Sequence, residues 1–527
     1  MGPIPFEYLA LTPVIKPGKR AAMNVYGTVV SMDHVLGLTL LAPFVGAFLC
    51  ALTRDRARNV LAVLFSGLTF VLALGLALFA LDDVSVAVYP RGAANLVFLS
   101  ADALSLLMAV VVSGLALLVT LYAAGYTPVW GLGPAKSEGS DEEANEDSEA
   151  EAETGTENHQ DWLMLAVAGA LGIFLAGNYL TMFIAFLITA FTAWRLSLMV
   201  LTPESARAAR IFSLAALGAT LTWLAGLLVM YTAPQGSSFL FSDISSLPVV
   251  YAEIVTGLFG ITALILAAQL PFLGWIVKAA EADIPTNAFI HSGVLVTAGV
   301  YLVARMTLAN PGLLEWIAPA AAVVGLASML IAMVMMLFAA DIKQGLMLAV
   351  ATHCGMIISA LSVAMWGSDK ALAGAALQIV TMASGMALLF MAVGLAIRAG
   401  GSRQIADLSG LGSVVPYSAL GYFVGAFVIA GIPPLGGFWG KLLVLSAGIA
   451  TGGFGTLISI LILLESLVIF SYFLWLGHTI YFGQAPEKSP ETGIGVSARA
   501  AVVLLTVASL ALPMIALPLL EQITPGM

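Results

Sequence analysis

Charge is scarce in this chain: Asp, Glu, Lys and Arg make up 9% of its 527 residues, where a soluble domain carries roughly a quarter. That deficit excludes an ordinary water-soluble fold. Cysteine is scarcer still. Cys50 and Cys354 are the only two, both inside apolar runs, which excludes a disulfide framework and supplies no zinc or iron–sulfur ligand set. There is no GxGxxG after a strand, no Walker motif, no CxxC array and no haem-ligand pair at workable spacing. Flavin, nicotinamide or iron–sulfur chemistry would therefore have to reside in partner subunits, and no cofactor is expected on this chain. Residues 1–30 scatter Lys16, Lys19 and Arg20 among apolar residues without the compact apolar core of a cleavable signal. The first apolar span is expected to serve as the insertion signal.

What the chain has in abundance is apolar length. Hydrophobic residues make up 60% of it and the mean hydropathy is +1.02, which predicts an all-α polytopic membrane protein with spans of about 20 residues each. Fourteen spans are expected. A leading three run over 35–52, 61–81 and 104–123. A group of five follows at 162–176, 179–201, 211–233, 254–276 and 289–306. A second five occupies 316–339, 346–365, 371–397, 417–450 and 454–481, and 500–520 closes the series. The organisation read from this is 1–126, an acidic cytoplasmic loop at 127–160, five-helix inverted repeats at 161–310 and 311–482, and 483–527. Loops after odd-numbered spans hold twelve Lys and Arg, among them Arg54, Arg56, Arg58, Arg207, Arg210, Arg398 and Arg403, against six on the other side. The positive-inside rule then puts both termini on the non-cytoplasmic side of a cell inner membrane.

Between the third and fourth spans, Glu138 to Glu157 contribute ten acids and no base, equal to the whole net charge of −10. Like-charge repulsion and the lack of apolar residues predict a disordered, solvated linker. The remainder is neutral, so the acidity points to no particular partner, and no nucleic acid is expected.

The run from Pro271 to Arg305 places Lys278, Glu281, Asp283 and His291 between two apolar segments. Ionisable groups at membrane depth are functional candidates by default. Pro271 interrupts the fourth span of the first group, and Pro433 and Pro434 interrupt the fourth span of the second. Matched helix breaks point to an ion path between repeats, since proline frees a carbonyl that only protein or trapped water can satisfy in a membrane. Further candidates lie near or within spans. Lys441 sits just inside the second break, as a relay or as a base snorkelling to the interface. His291 has a side chain that titrates near neutrality. Lys343, two residues after Asp341, reads as a cytoplasmic anchor or a gate. His353 lies mid-span with no partner visible in sequence, and Cys354 beside it points about 100° away, against a shared metal site. Glu465 is the one acid in the middle of a span. It is too far along the helix to touch His478, but Lys441 is within its reach across the packing of the twelfth and thirteenth spans. The bridge of Lys278, Glu281 and Asp283 reads as a solvated cytoplasmic turn in which Lys278 and Glu281 can pair at i,i+3.

AAQLPFLGW, then Pro285 to His291, then VTAGVYLVAR, resembles the signature of the proton-translocating antiporter-like subunits. These are the large membrane subunits of respiratory complex I and of Mrp-type Na+/H+ antiporters. Asp341, Ile342 and Lys343 resemble the DIK element of that family, and GIPPLGGFWGKLL its broken twelfth helix; the likeness runs from about Asn178 to Lys441. It implies two half-channels joined by a row of buried ionisable groups that carries H+ or Na+, with other membrane subunits as partners. It also implies a translocase subunit with no redox centre of its own. The departures are central, and they lead to the expectation of a degenerate first half-channel with transport resting on Lys441. Leu187 stands where the resemblance implies a glutamate, Leu266 where it implies a lysine, and Gln378, Met382 and Met386 where it implies histidines and a lysine. Three readings follow: an ion-translocating subunit working through Lys441 and His291, a structural or coupling subunit with a closed channel, or the membrane half of an inorganic-carbon uptake complex.

Overall fold

The computed structural model describes residues 22–25, 28–79, 84–88, 97–126, 159–200, 202–234, 238–310, 312–484 and 494–523. The acidic stretch Glu138 to Glu157 lies outside them. The helices are α1 (Met32–Leu52), α2 (Asp55–Phe79), α3 (Ala103–Ala123), α4 (His159–Phe174), α5 (Tyr179–Ser197), α6 (Pro203–Thr232), α7 (Val249–Leu266) and the short α8 (Gly274–Ala279). They continue with α9 (Ile284–Ala309), α10 (Ala318–Leu337), α11 (Ile342–Met365), α12 (Asp369–Gly400), α13 (Pro416–Ala430), α14 (Gly436–Thr451), α15 (Gly453–Tyr481) and α16 (Val496–Ile523). Twelve of these, among the described residues, are long and apolar enough to cross a membrane. The 16-residue α4 and the split pair α13–α14 complete the expected spans in the expected order. The chain is a multi-pass, all-α membrane protein. A hairpin of β3 (Val84–Val88) and β4 (Val97–Ala101) before α3, and an earlier one of β1 (Ala22–Val25) and β2 (Thr28–Ser31), were not expected from composition.

Polar caps extend several helices beyond their apolar runs. α6 starts at Pro203 because Thr202 accepts from the Ser205 N–H and Ser205 returns a bond to Thr202, a proline-led capping box. Asp341 caps α11 by accepting from the N–H groups of Lys343 and Gln344, at 2.8 and 3.2 Å, which carries that helix four residues N-terminal to Leu346.

Three helices form the centre. α9, α11 and α12 each hold an 18-residue stretch that is buried throughout, while α2 turns Val60, Leu64, Leu68 and Val71 outward. On α15, Ile458, Ile462, Glu465, Ile469, Tyr472 and Leu476 are buried at i,i+3/i+4 spacing, and Leu463, Leu464 and Leu467 face out. The Met-rich run of α10 is divided, with Met329, Met333 and Met336 inside and Met335 outside. Lipid gives little hydrophobic drive for helix association, so small residues set how closely helices approach. α12 and α14 cross at Gly374 and Gly440, where a Cβ on Gly374 would lie 2.9 Å from the Gly440 carbonyl oxygen.

Candidate functional site

The second broken helix builds a buried charged site. Helix α13 ends at Gly431, which takes φ 83°, a left-handed conformation that glycine adopts without penalty. α14 then starts so close by that a Cβ on Gly437 would sit 1.9 Å from the Val428 carbonyl oxygen. The stop leaves the Ala430 carbonyl without a helical partner, and Lys441, one turn into α14, donates to it from Nζ at 3.3 Å. The same ammonium donates to Glu465 Oε2 at 2.9 Å and to Ser466 Oγ at 2.8 Å, so its three hydrogens have three acceptors. Lys441 and Glu465 are thus partners across α14 and α15, with side chains 5% and 0% exposed.

His353 completes the row. Its Nδ1 lies 3.6 Å from Glu465 Oε1, an oxygen with no hydrogen-bond partner among the described residues. Its Nε2 lies 3.1 Å from Gln378 Oε1. Gln378 in turn donates from Nε2 to the Gly437 carbonyl at 2.7 Å, returning the chain of contacts to the helix break. Four helices, α11, α12, α14 and α15, therefore converge on one buried lysine, glutamate, histidine and amide. The sequence puts Lys441 within reach of Glu465, but it leaves His353 without a partner and presents Gln378 only as a missing relay. Ser466 was not considered, although it neighbours the sole mid-span acid.

The first half is built differently. His291 lies in a π-helical stretch of α9, Asn287–Leu295, with Nε2 3.5 Å from the Ser197 hydroxyl and the rings of Phe212 and Trp275 at 5.7 and 6.2 Å. It has no ion-pair partner among the described residues. Leu266 is buried and Leu187 is 39% exposed, on the outer face of α5. The Pro271 break is closed by protein groups. Gln269 donates to the Ala267 and Ala351 carbonyls at 2.7 and 3.3 Å, the Leu270 N–H donates to Ser328 Oγ at 3.0 Å, and Trp275 Nε1 donates to the Ile265 carbonyl at 2.7 Å.

At one end of the molecule, the polar bridge after Pro271 is not solvated as expected. Arg403 holds Glu281 at 2.8 Å and Asp341 at 2.6 Å. Burial pushes the Glu281 carboxyl up, but the Arg403 hydrogen bond and charge outweigh it and hold the group below the usual carboxylate range. Asp283, its side chain 8% exposed, contacts His159 Nε2 at 2.7 Å; burial again opposes ionisation, and the His159 charge wins. Lys278 is exposed and makes no ion pair with Glu281. Lys343 is buried and donates from Nζ to the Ala282 carbonyl, so it does not reach for the interface as an anchor would. At the opposite end, Arg305 of the VYLVAR motif pairs with Asp102 and donates to Tyr301 Oη at 2.8 Å. Tyr301 donates to the Phe174 carbonyl at 2.8 Å. Neither pair was anticipated, because each joins residues far apart in sequence.

Residues 176–468 match the family described as NADH:quinone oxidoreductase/Mrp antiporter, TM. The chain belongs to this family. Among curated family members, it is 28% identical over 425 residues to the Na(+)/H(+) antiporter subunit A1 of Staphylococcus aureus strain MRSA252 and 27% identical to that of strain Newman. The alignments cover 75% of this chain and 49% of each relative. The chain thus spans about half the length of the curated relatives it matches. The fold is that of a chain in the Mrp complex from Dietzia sp. DQ12-45-1b (TM-score 0.79, 19% identity, 93% of this chain and 96% of the other). It is also that of a chain in the membrane-bound sulfane sulfur reductase, an archaeal respiratory membrane complex (TM-score 0.75, 19% identity, 94% and 96%). Within the matched region lie both helix breaks and all five candidate residues: His291, Lys343, His353, Lys441 and Glu465.

Proposed function

We propose that this chain is a membrane subunit of a multisubunit cation/proton translocase of the Mrp type, seated in the cell inner membrane with both termini outside. Protons cross it through the second half by way of Lys441, Glu465 and His353. One observation carries the reading: three ionisable side chains from three helices meet in the buried interior of a membrane protein. Stability alone does not call for such a row, since well-packed apolar residues in place of a buried ion pair are often neutral or stabilising. Ionisable groups inside a membrane mark ion paths.

The geometry suggests the order of events. A proton on His353 Nδ1 passes to Glu465 Oε1; an N–H bond breaks, an O–H bond forms, and the carboxylate charge disappears. Lys441 then loses its one charged partner and keeps only the neutral acceptors Ser466 Oγ and Ala430 O, which leaves its charge without a counter-ion in a buried site. Exchange of H+ against Na+ is favoured because the similar curated relatives are named Na(+)/H(+) antiporter subunits. Other membrane subunits complete the assembly. The apolar residues Leu187 and Leu266, and a first break held by the neutral groups of Gln269, Ser328 and Trp275, favour a structural role for the first half.

The test is to purify the assembled complex through this chain, identify its partners, reconstitute it, and follow Na+-driven pH change in vesicles for wild type and Lys441→Ala. Loss of at least about tenfold with assembly intact is expected for a relay residue. Equal rates in the two would end the proposal.

A further inference from the structure

We propose that Gln378 is a positioning residue that locks His353 in one tautomer, leaving Nδ1 as its single proton-loading site and directing it at Glu465. The inference rests on the relay reading above and adds to it the residue that gives the relay its direction.

The Gly437 carbonyl can only accept, so at 2.7 Å it must face the amide nitrogen of Gln378 and not the amide oxygen. That fixes the amide: Oε1 is the atom 3.1 Å from His353 Nε2. An amide oxygen also only accepts, so Nε2 must carry a hydrogen in every protonation state. The tautomer of a histidine is set by the bond its other nitrogen makes. What remains variable is Nδ1, which points at Glu465 Oε1 across 3.6 Å. Neither atom has a hydrogen-bond partner among the described residues. With no proton between them, two lone pairs would face each other in a buried site; one proton on this edge, on either atom, removes the conflict. The other carboxylate oxygen, Oε2, is held by Lys441 and Ser466 at 2.9 and 3.3 Å. A mobile proton therefore has one place to load.

Gln378 owes its position to close packing. The Gly374–Gly440 crossing brings α12 against α14, and a Cβ on Gly440 would lie 2.7 Å from Gln378 Nε2. Thr381, one turn on, approaches Gln378 Oε1 at 3.4 Å. The lock is also tied to the break, since its anchor is the second residue of α14. A shift of that segment would release the amide and with it the tautomer.

The experiment uses the assembled complex in lipid, labelled with 15N-histidine, with the His353 signals assigned by their loss in His353→Gln. In wild type, Nδ1 alone is expected to lose its proton as pH rises while Nε2 stays protonated. In Gln378→Leu both tautomers are expected, with Na+-driven transport reduced by about tenfold. Gln378→Glu is the conservative variant. As a neutral acid it donates to Gly437 and accepts from His353, so it should restore transport on the acid side of the pH profile and lose it on the alkaline side. A wild-type His353 whose Nε2 titrates would overturn the proposal, as would a Gln378→Leu complex with unchanged tautomer or rate, or a Gln378→Glu complex with the wild-type pH profile. If Lys441→Ala transports normally, the relay reading itself fails. If Lys441→Ala is inactive and the His353 tautomer ignores Gln378, only this inference fails.

Discussion

Glu465 and Lys441 each have a reason to be where they are only because the other is there. Both side chains are almost fully buried, and removing one partner of such a pair strands the other charge in a low-dielectric site. Lys441→Met should therefore destabilise the complex by about 3–5 kcal/mol. Adding Glu465→Leu should return most of that stability, read as the melting temperature of the purified complex, without returning transport. A double variant as unstable as the single one would contradict the pairing. Glu465 was legible in the sequence because an acid in the middle of an apolar span has few innocuous explanations, and Lys441 because it follows the PP break. Gln378 was not. An amide carries no charge, and read against the family pattern it looked like a lost proton carrier; only the packing of α12 between α11 and α14 shows what it holds.

At the scale of elements, the two helix breaks look alike in sequence and differ in what satisfies them. The first is closed by Gln269, Ser328 and Trp275, all neutral. In the second, the freed Ala430 carbonyl receives a charged lysine. Proline spacing reveals a break but not the groups that fill it, since those come from other helices. Gly437→Ala tests the second break directly. Its Cβ would meet the Val428 carbonyl at 1.9 Å, so a loss of several kcal/mol is expected, seen as failed assembly or a sharply lowered melting temperature. Gly260→Ala, with open space around it, should be neutral. The Arg403 clamp ties the segment after the first break to the start of α11. Its side chains are 11–21% exposed, so Arg403→Ala should cost about 2 kcal/mol, between surface and fully buried pairs. Because the folded Glu281 carboxyl is held below its ordinary value, its contribution is present above the usual carboxylate range and is lost as pH falls through the depressed value. The gap in melting temperature between wild type and Arg403→Ala should hold from neutral pH to about pH 5 and narrow below about pH 4. A gap that widens on acidification would contradict the assignment.

For the whole molecule, the architecture was almost entirely legible. Span number, order and the two breaks follow from apolar run length and proline, which act locally along the chain. Leu187 and Leu266 already lead to the expectation of a degenerate first half, with transport resting on Lys441. What was not legible is the setting of His291, which lies among the rings of Phe212 and Trp275 with no ion-pair partner among the described residues. The polar contacts that join distant segments, Arg305 with Asp102 and His159 with Asp283, have no sequence signature because each joins residues far apart in the chain. The central claim is that ions cross the second half and not the first. Its most direct test measures Na+-driven pH change in vesicles holding the complete complex with either His291→Ala or Glu465→Gln, assembly being verified for both. The account predicts that His291→Ala stays within about twofold of wild type and that Glu465→Gln falls by at least about tenfold. Retained transport in Glu465→Gln, with loss in His291→Ala, would contradict it.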